Sequence, residues 1–283
     1  MNVASQAESL ESVRRGVKRM RGDPTVPPHA SIVVPVNAQA DLENVLDIVG
    51  DVSRYEGSRT FEVVLVINNY PADAPPRELG TYAAAGMRTV GIPAAWRKGE
   101  VVSFTARIPG ARAAASQSLI QFDADCRVRN PTALLDWYVS RLEEGAAAAY
   151  TRVGYYDLRP LWSVRARIAV HHGARWAKRN ILHIPTLRGS NYAINRSLFL
   201  ALYDQGLLMD DLNVGPTVKA KGGSIAYSSE RDLLVLTSGR KFQGGWLKLI
   251  RYLGYRLGYN VRMIPATRHD RRRDARYHRE PMR

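Results

Sequence analysis

The sequence predicts an open α/β sheet with mostly parallel strands, and three observations carry that prediction. Ser31–Val36 and Phe61–Ile67 are short β-branched apolar runs, too continuously apolar for strands with one wet face. Between them, Leu42, Val45, Leu46 and Val49 fall at helical spacing. The order strand, helix, strand, strand, helix, strand over residues 31–122 is that of an α/β sheet, and 283 residues at 45% hydrophobic content suffice for a sizeable core.

Taken in order, residues 1–29 read as a polar, basic leader with one helix through Leu10 to Arg19, ended by Gly22-Asp23-Pro24 and the Pro27-Pro28 pair. Residues 30–130 form the first half. After the run at Phe61–Ile67 the chain stops at Asn68-Asn69-Tyr70-Pro71. Met87–Ile92 is a third strand, Pro109–Ser116 an Ala-rich helix, and Ser118–Phe122 a fourth strand running into Asp123. The second half, residues 131–240, opens with a helix at Pro131–Glu144 and a strand-like stretch near Ala146–Val153. A basic helix comes next at Leu161–Arg179, then a loop at His183–Asn191, a helix at Arg196–Tyr203 and a helix near Pro216–Ala220. Residues 241–283 are a basic, amphipathic C-terminal segment. In it, Trp246, Leu247, Leu249, Ile250, Leu253 and Leu257 form an apolar stripe, either an interfacial helix for an anionic membrane or a helix packed on the second half.

In open α/β sheets ligands bind beyond the carboxyl ends of the strands. Here those ends are Pro35 to Asn37, Asn68 to Tyr70 and Asp123 to Asp125, which are expected to line one crevice. Asp123 and Asp125 supply hard oxygen ligands of the kind that hold Mg²⁺ or Mn²⁺, or else they cap a strand end. Asp210 and Asp211 precede a helix and are read either as a catalytic carboxylate with its neighbour or as helix caps. Asn68 and Asn69 can donate to and accept from a base edge, or simply make a turn.

The net charge of +15 calls for an anionic partner: the phosphates of a sugar nucleotide, anionic lipid headgroups, or RNA. No run approaches the roughly 18 apolar residues of a membrane-spanning helix, and the charged opening does not read as an export signal. With a single cysteine, Cys126, an internal disulfide is excluded, and the expected location is cytoplasmic, with a peripheral place at the inner membrane face as the variant. Cys126 itself reads as a small buried residue rather than a nucleophile. His171, His172 and His183 read as packed or solvated, since adjacent histidines on a helix point in different directions.

With these residues in view, the chain resembles the inverting family 2 glycosyltransferases of the GT-A fold, a Rossmann-like nucleotide-diphospho-sugar transferase fold. The resemblance runs from about Ala30 to Arg240 and rests on SIVVPVN, FEVVLVINN, Ala106-Arg107 ahead of QFDAD, RGSNYAINRSLF, MDDLNVGPTVKAKGG and TSGRKF. It implies a single-sugar transferase using Mn²⁺ or Mg²⁺ and a UDP- or GDP-sugar. Asp125 would hold the metal, and Asp123 would share it or reach the ribose. Asp211 would be the general base, beside Asp210. Pro35, Asn37, Asn68, Asn69, Arg107, Arg188, Gly189, Asn191 and Arg240 would line the donor site. The acceptor would carry a hydroxyl, on a lipid-linked or small molecule. Gln243-Gly244-Gly245-Trp246 matches only part of the signature of processive members. A sugar-1-phosphate nucleotidylyltransferase should carry a Gly-rich, Arg-containing loop after the first strand, and Val36-Asn37-Ala38-Gln39-Ala40 lacks one. A basic nucleic-acid- or membrane-surface-binding protein without activity would have no use for Asp123, Asp125 or Asp211.

Overall fold

The computed structural model describes residues 3–93, 102–255 and 258, apart from 43, 160, 186, 244 and 248. Helix α1 (Val3–Arg21) precedes β1 (Ala30–Asn37), α2 (Val45–Val52), β2 (Phe61–Tyr70), α3 (Glu78–Ala84), β3 (Arg88–Pro93), α4 (Val102–Ala113) and β4 (Ser118–Gln121). After β5 (Arg127–Val128) come α5 (Pro131–Glu143), β6 (Ala148–Thr151), β7 (Val153–Tyr155), α6 (Trp162–Asn180), β8 (Tyr192–Asn195) and α7 (Arg196–Asp204). The order ends with α8 (Asp211–Ala220), β9 (Ile225–Ser228), β10 (Val235–Thr237) and α9 (Arg240–Gln243).

Seven strands form the main sheet in the order β3-β2-β1-β4-β8-β6-β9, with β8 antiparallel to both its neighbours and the other pairs parallel. The apolar runs are continuous because both faces of the sheet are covered. Ile32, Val34, Val63, Leu65 and Ile67 join a core with Val13, Val17 and Met20 of α1, Ile48 and Val49 of α2, and Leu134 and Tyr138 of α5. Val33, Val64, Val66 and Leu119 face the other way, onto Phe104, Ala106 and Ala111 of α4 and Phe199 of α7. The apolar face of α1 is therefore built into the first of these cores.

Several elements differ from the sequence expectation. Helix α4 starts at Val102 and ends at Ala113, with Pro109 in its interior instead of at its start. The loss of one backbone donor is offset by close packing on the sheet: a Cβ on Gly110 would lie 2.5 Å from Val33 and 2.7 Å from Val66. Strand β2 continues through Asn68 and Asn69 to Tyr70, with an irregular register at that point and φ 63° at Asn69. The stretch near Ala146–Val153 is two strands in different sheets. Arg152 divides them, its N–H donating to Ser228 O and its carbonyl accepting from Val235 N. Helix α8 begins at Asp211, well before Pro216. Strands β5, β8, β9 and β10 are too short to show a period in the sequence.

In the small sheet, β5-β10-β7, the pairing of Leu236 with Arg127 sets Thr237 and the TSGRKF segment beside the residues that come after β4.

Candidate active site

Strand β4 is level with β1, Val33 opposite Gln121, and β1 is level with β2, Asn37 opposite Asn68. The carboxyl ends of the three strands thus reach one edge of the sheet, where Pro35, Asn37, Asn68 and Asp123 lie. At that edge Asn37 Oδ1 accepts from Asn69 Nδ2 at 3.1 Å and from Gln39 N at 2.9 Å. The chain then turns, with Asp41 N donating to Asn37 O, which brings Asp41 toward Asp125.

Arg107, on the inner face of α4, is fully buried and is the hub of the site. Nη2 donates to Asp123 Oδ1, and Nη1 donates to Gln121 Oε1 at 3.1 Å and to Phe122 O at 3.3 Å. Nε lies 3.0 Å from Asp211 Oδ1, a charge contact in which the N–H is not aimed at the oxygen. The Tyr192 hydroxyl donates to the same Oδ1 at 3.3 Å. Gln121 and Tyr192 are cross-strand partners in β4 and β8, so the register of the sheet places both beneath Arg107.

Burial works to lower the Arg107 pKa, but the Asp211 and Asp123 carboxylates more than offset it and the net shift is upward. The carboxylates move the same way for a different reason. Asp123 is pushed up to about 7, first by burial and then by Asp125 and Asp211, against the pull of Arg107. Asp211 is raised by burial, again against Arg107, with Asp210 adding to the rise. Asp41 is raised by burial and by Asp125. One buried guanidinium cannot neutralise every carboxylate around it, so the site carries a surplus of negative charge that suits a cation.

Asp125, 19% exposed, accepts from Thr237 Oγ1 at 3.2 Å and lies 3.4 Å from the largely exposed Arg240. Its carboxylate, that of Asp123 and the Cys126 thiol bring one donor atom each within 4.8 Å of one another. Burial raises the Cys126 thiol well above its usual range, and Sγ donates to Ser190 O, so the sulfur stays protonated. Two hard carboxylate oxygens remain, a donor set that fits Mg²⁺ or Mn²⁺ completed by phosphates and water. Near this site three buried polar atoms, Asn68 Oδ1, Arg107 Nε and Gln121 Nε2, have no hydrogen-bond partner among the described residues.

The adjacent aspartates divide two tasks. Asp210 caps α8, its Oδ1 accepting from Leu212 N at 2.8 Å and Asn213 N at 3.1 Å. Asp211, the first helical residue, is thereby left to face Arg107. Above it passes Gly189, where a Cβ would collide with both Arg107 Nη2 and Asp211 Oδ2, so a larger residue would have to displace these charged side chains. Arg188 Nη2 and Asn191 Nδ2 are turned to other partners, while the buried Asn191 Oδ1 has no hydrogen-bond partner among the described residues. Arg188 Nη2 is 2.8 Å from His171 Nε2, and Asn191 Nδ2 donates to Thr151 Oγ1 at 2.8 Å.

Sequence reasoning missed Asp41, Gln121, Tyr192 and Thr237. The signal for Gln121 and Tyr192 was present: each is a polar residue at an inward position of an apolar strand, which demands a buried partner. Asp41 and Thr237 carried no such signal, because only the turn after β1 and the small sheet bring them near Asp125.

No family model matches the chain, and no curated protein matches it. Solved structures do. A mannosyltransferase from Pyrobaculum calidifontis in complex with GDP-Man and Mn²⁺ is 15% identical, with 95% of this chain and 79% of that chain covered at a TM-score of 0.54. Glucosyl-3-phosphoglycerate synthase from Mycobacterium tuberculosis, in complex with Mn²⁺, UDP and phosphoglyceric acid, is 17% identical, covering 91% and 81% at a TM-score of 0.49. The seven-stranded, mostly parallel sheet and its superposition on the mannosyltransferase show that this chain has the GT-A fold.

Proposed function

We propose that the protein is a metal-dependent, inverting glycosyltransferase that moves a single sugar from a UDP- or GDP-sugar to a hydroxyl acceptor. One observation carries the reading: a single buried arginine, Arg107, touches both Asp123, on the diphosphate side, and Asp211, on the acceptor side. A strand-end pair of aspartates has many uses, but a shared, sealed guanidinium fixes two chemically different carboxylates at one spacing. The donor complex of the Pyrobaculum calidifontis mannosyltransferase, GDP-Man with Mn²⁺, supports the same substrate class.

Asp125 and Asp123 would hold the divalent ion, which when bound offsets the charge gathering on the departing diphosphate. Asp125 exchanges Arg240 and Thr237 for that ligand, and Arg240 is then placed to meet phosphate oxygens. Asn37, Asn68 and Asn69, at the ends of β1 and β2, line the nucleoside end, with the unpartnered Asn68 Oδ1 offering an acceptor to a base N–H. Asp211 takes the proton of the acceptor hydroxyl on Oδ2, the oxygen beneath Gly189, while Arg107 and Tyr192 hold Oδ1. Its raised pKa strengthens it as a base. Attack from the Asp211 side, opposite the leaving diphosphate, inverts the anomeric carbon.

The test is a thermal-shift screen with UDP, GDP and dTDP, each with and without Mn²⁺, on wild type and Asp125→Ala. One nucleotide should raise the melting temperature only with Mn²⁺, and only in the wild type. Equal metal-dependent stabilisation of the variant would remove Asp125 from the metal site.

A further inference from the structure

Helix α6 presents two unlike faces. Val164, Arg167 and His171 are buried, while Trp162, Arg165, Ala169, Gly173, Trp176 and Asn180 are all exposed. Their steps of three and four residues put them on one side of the helix, over about 21 Å from Trp162 to Trp176 at 1.5 Å per residue. Trp162 is 77% exposed and Trp176 56%, and the chain beyond the helix adds Ile181 and Leu182 at 62% and 59%. Of the helical residues that follow, 245–247 and 249–255, Leu249 packs inward while Trp246, Leu247 and Ile250 stay open. Three of the chain's five tryptophans thus stand in water around one element.

The charge of this region has one sign. No Asp or Glu occurs between Asp157 and Asp204, nor between Asp232 and Asp270, and α6 itself carries Arg165, Arg175, Lys178 and Arg179. Exposed tryptophan and aliphatic side chains, in stretches of chain that carry arginine and lysine and no carboxylate, fit the headgroup boundary of an anionic bilayer. There indole rings settle at the interface and cations meet lipid phosphates.

We propose that the outer face of α6 docks the protein on an anionic membrane surface. The inner face of the helix is tied to the crevice: His171 contacts Arg188, next to Gly189, and Arg167 Nε donates to Phe242 O in the segment that carries Arg240. Docking would set the acceptor side of the crevice about one helix diameter, ~10 Å, from the headgroups. A hydroxyl acceptor held in the bilayer is then within the geometry of the site. The surface stands on its own observations and does not depend on the transfer chemistry.

The experiment is vesicle co-sedimentation of the full chain, with phosphatidylcholine alone and with about 30% phosphatidylglycerol, an anionic fraction chosen for charge attraction. Wild type should pellet with the anionic vesicles, be released by high salt, and stay soluble with phosphatidylcholine alone. Trp162→Ser/Trp176→Ser, altered only at exposed positions, should bind at least roughly tenfold more weakly. Its melting temperature and its metal-dependent response to nucleotide should be those of wild type. Undiminished sedimentation of the double variant would overturn the proposal by moving the contact to the basic C-terminal residues. Absence of wild-type binding would overturn it too, as would a wild-type dimer that the double substitution makes monomeric while neither protein binds vesicles.

Discussion

The two ends of the Arg107 network are built differently. At the end proposed to carry the base, Arg107 is sealed, and Asp211 is held by Tyr192 and roofed by Gly189, where an added methyl group would have to push Arg107 and Asp211 aside. At the proposed metal end, Asp125 is held, among the described residues, by a threonine hydroxyl and by an arginine whose side chain is 74% exposed. The first set of contacts is fixed, and the second can be exchanged for a ligand. A general base must keep one orientation through the reaction, whereas a metal ligand must give up its resting partners each time a donor arrives. The burial of the two arginines, Arg107 closed off and Arg240 open to water, matches that division.

The comparison breaks most sharply at Asp211. Asp211→Asn keeps the shape and removes the proton acceptor, and kcat should fall by about 10²–10⁴, the usual range for a positioned base. Metal-dependent nucleotide binding, measured by thermal shift, should survive, because Asp123 and Asp125 are untouched. Joint loss of turnover and nucleotide binding would show that the two ends are not separable.

Next in size is the hub. Arg107→Met strips the buried cation and leaves two carboxylates facing each other, and breaking a buried pair in this way typically costs about 3–5 kcal/mol. At about 2–4 °C per kcal/mol the melting temperature should drop by roughly 6–20 °C. The loss should be smaller at pH 5 than at pH 8, since protonated carboxylates no longer need the guanidinium. An unchanged melting temperature would demote Arg107 to a packing residue.

How much of the fold and site was legible in the sequence depends on the kind of signal each part carries. Strands β1 and β2 and helix α5 were readable because burial on two faces, or a Pro at the first helical turn behind an Asn cap, writes itself locally. Helix α4 was read as starting at Pro109, since local rules place proline first. Its actual start depends on packing of Phe104 and Ala106 against the sheet, which no local rule contains. Asp123, Asp125, Arg107 and Asp211 were named from motifs. The motif register singled out Asp211 over its neighbour Asp210, but that Asp210 caps α8 and leaves Asp211 facing Arg107 follows from where the helix starts, which no motif carries. The tertiary neighbours of Asp125, namely Asp41, Thr237 and Arg240, each lie more than 80 residues from it in the chain. Only the β5–β10 pairing and the turn after β1 bring them together.

The electrostatics of the metal end give a smaller effect. Asp123 has its pKa raised to about 7, so in the free protein its proton is favoured by folding. Its contribution to stability is complete below the ordinary carboxylate range and is lost as pH rises through about 7. Metal requires the ionised form, so Mn²⁺ binding should release a proton and weaken as pH falls below about 7, by at most tenfold per unit for one proton. Isothermal titration with Mn²⁺ plus nucleotide between pH 5.5 and 8, in two buffers of different ionisation enthalpy, measures both slopes. A flat affinity with no proton release would mean that Asp123 is ionised throughout and stays clear of the ion.

The smallest change expected is at Arg240. An ion pair at 3.4 Å with one partner mostly in water is worth under about 1 kcal/mol, so Arg240→Ala should leave the melting temperature nearly unchanged. Its kinetic effect should depend on which ligand is varied. Without nucleotide, removing the resting partner of Asp125 should tighten Mn²⁺ by up to about fivefold, the equivalent of that 1 kcal/mol. With the donor present, the same substitution should raise KM, because the guanidinium that left Asp125 no longer meets the diphosphate. Opposite signs for metal alone and for donor are what an exchangeable partner produces. A change of the same sign in both would make Arg240 a fixed element of the site, and the contrast with the sealed Asp211 end would lose its basis.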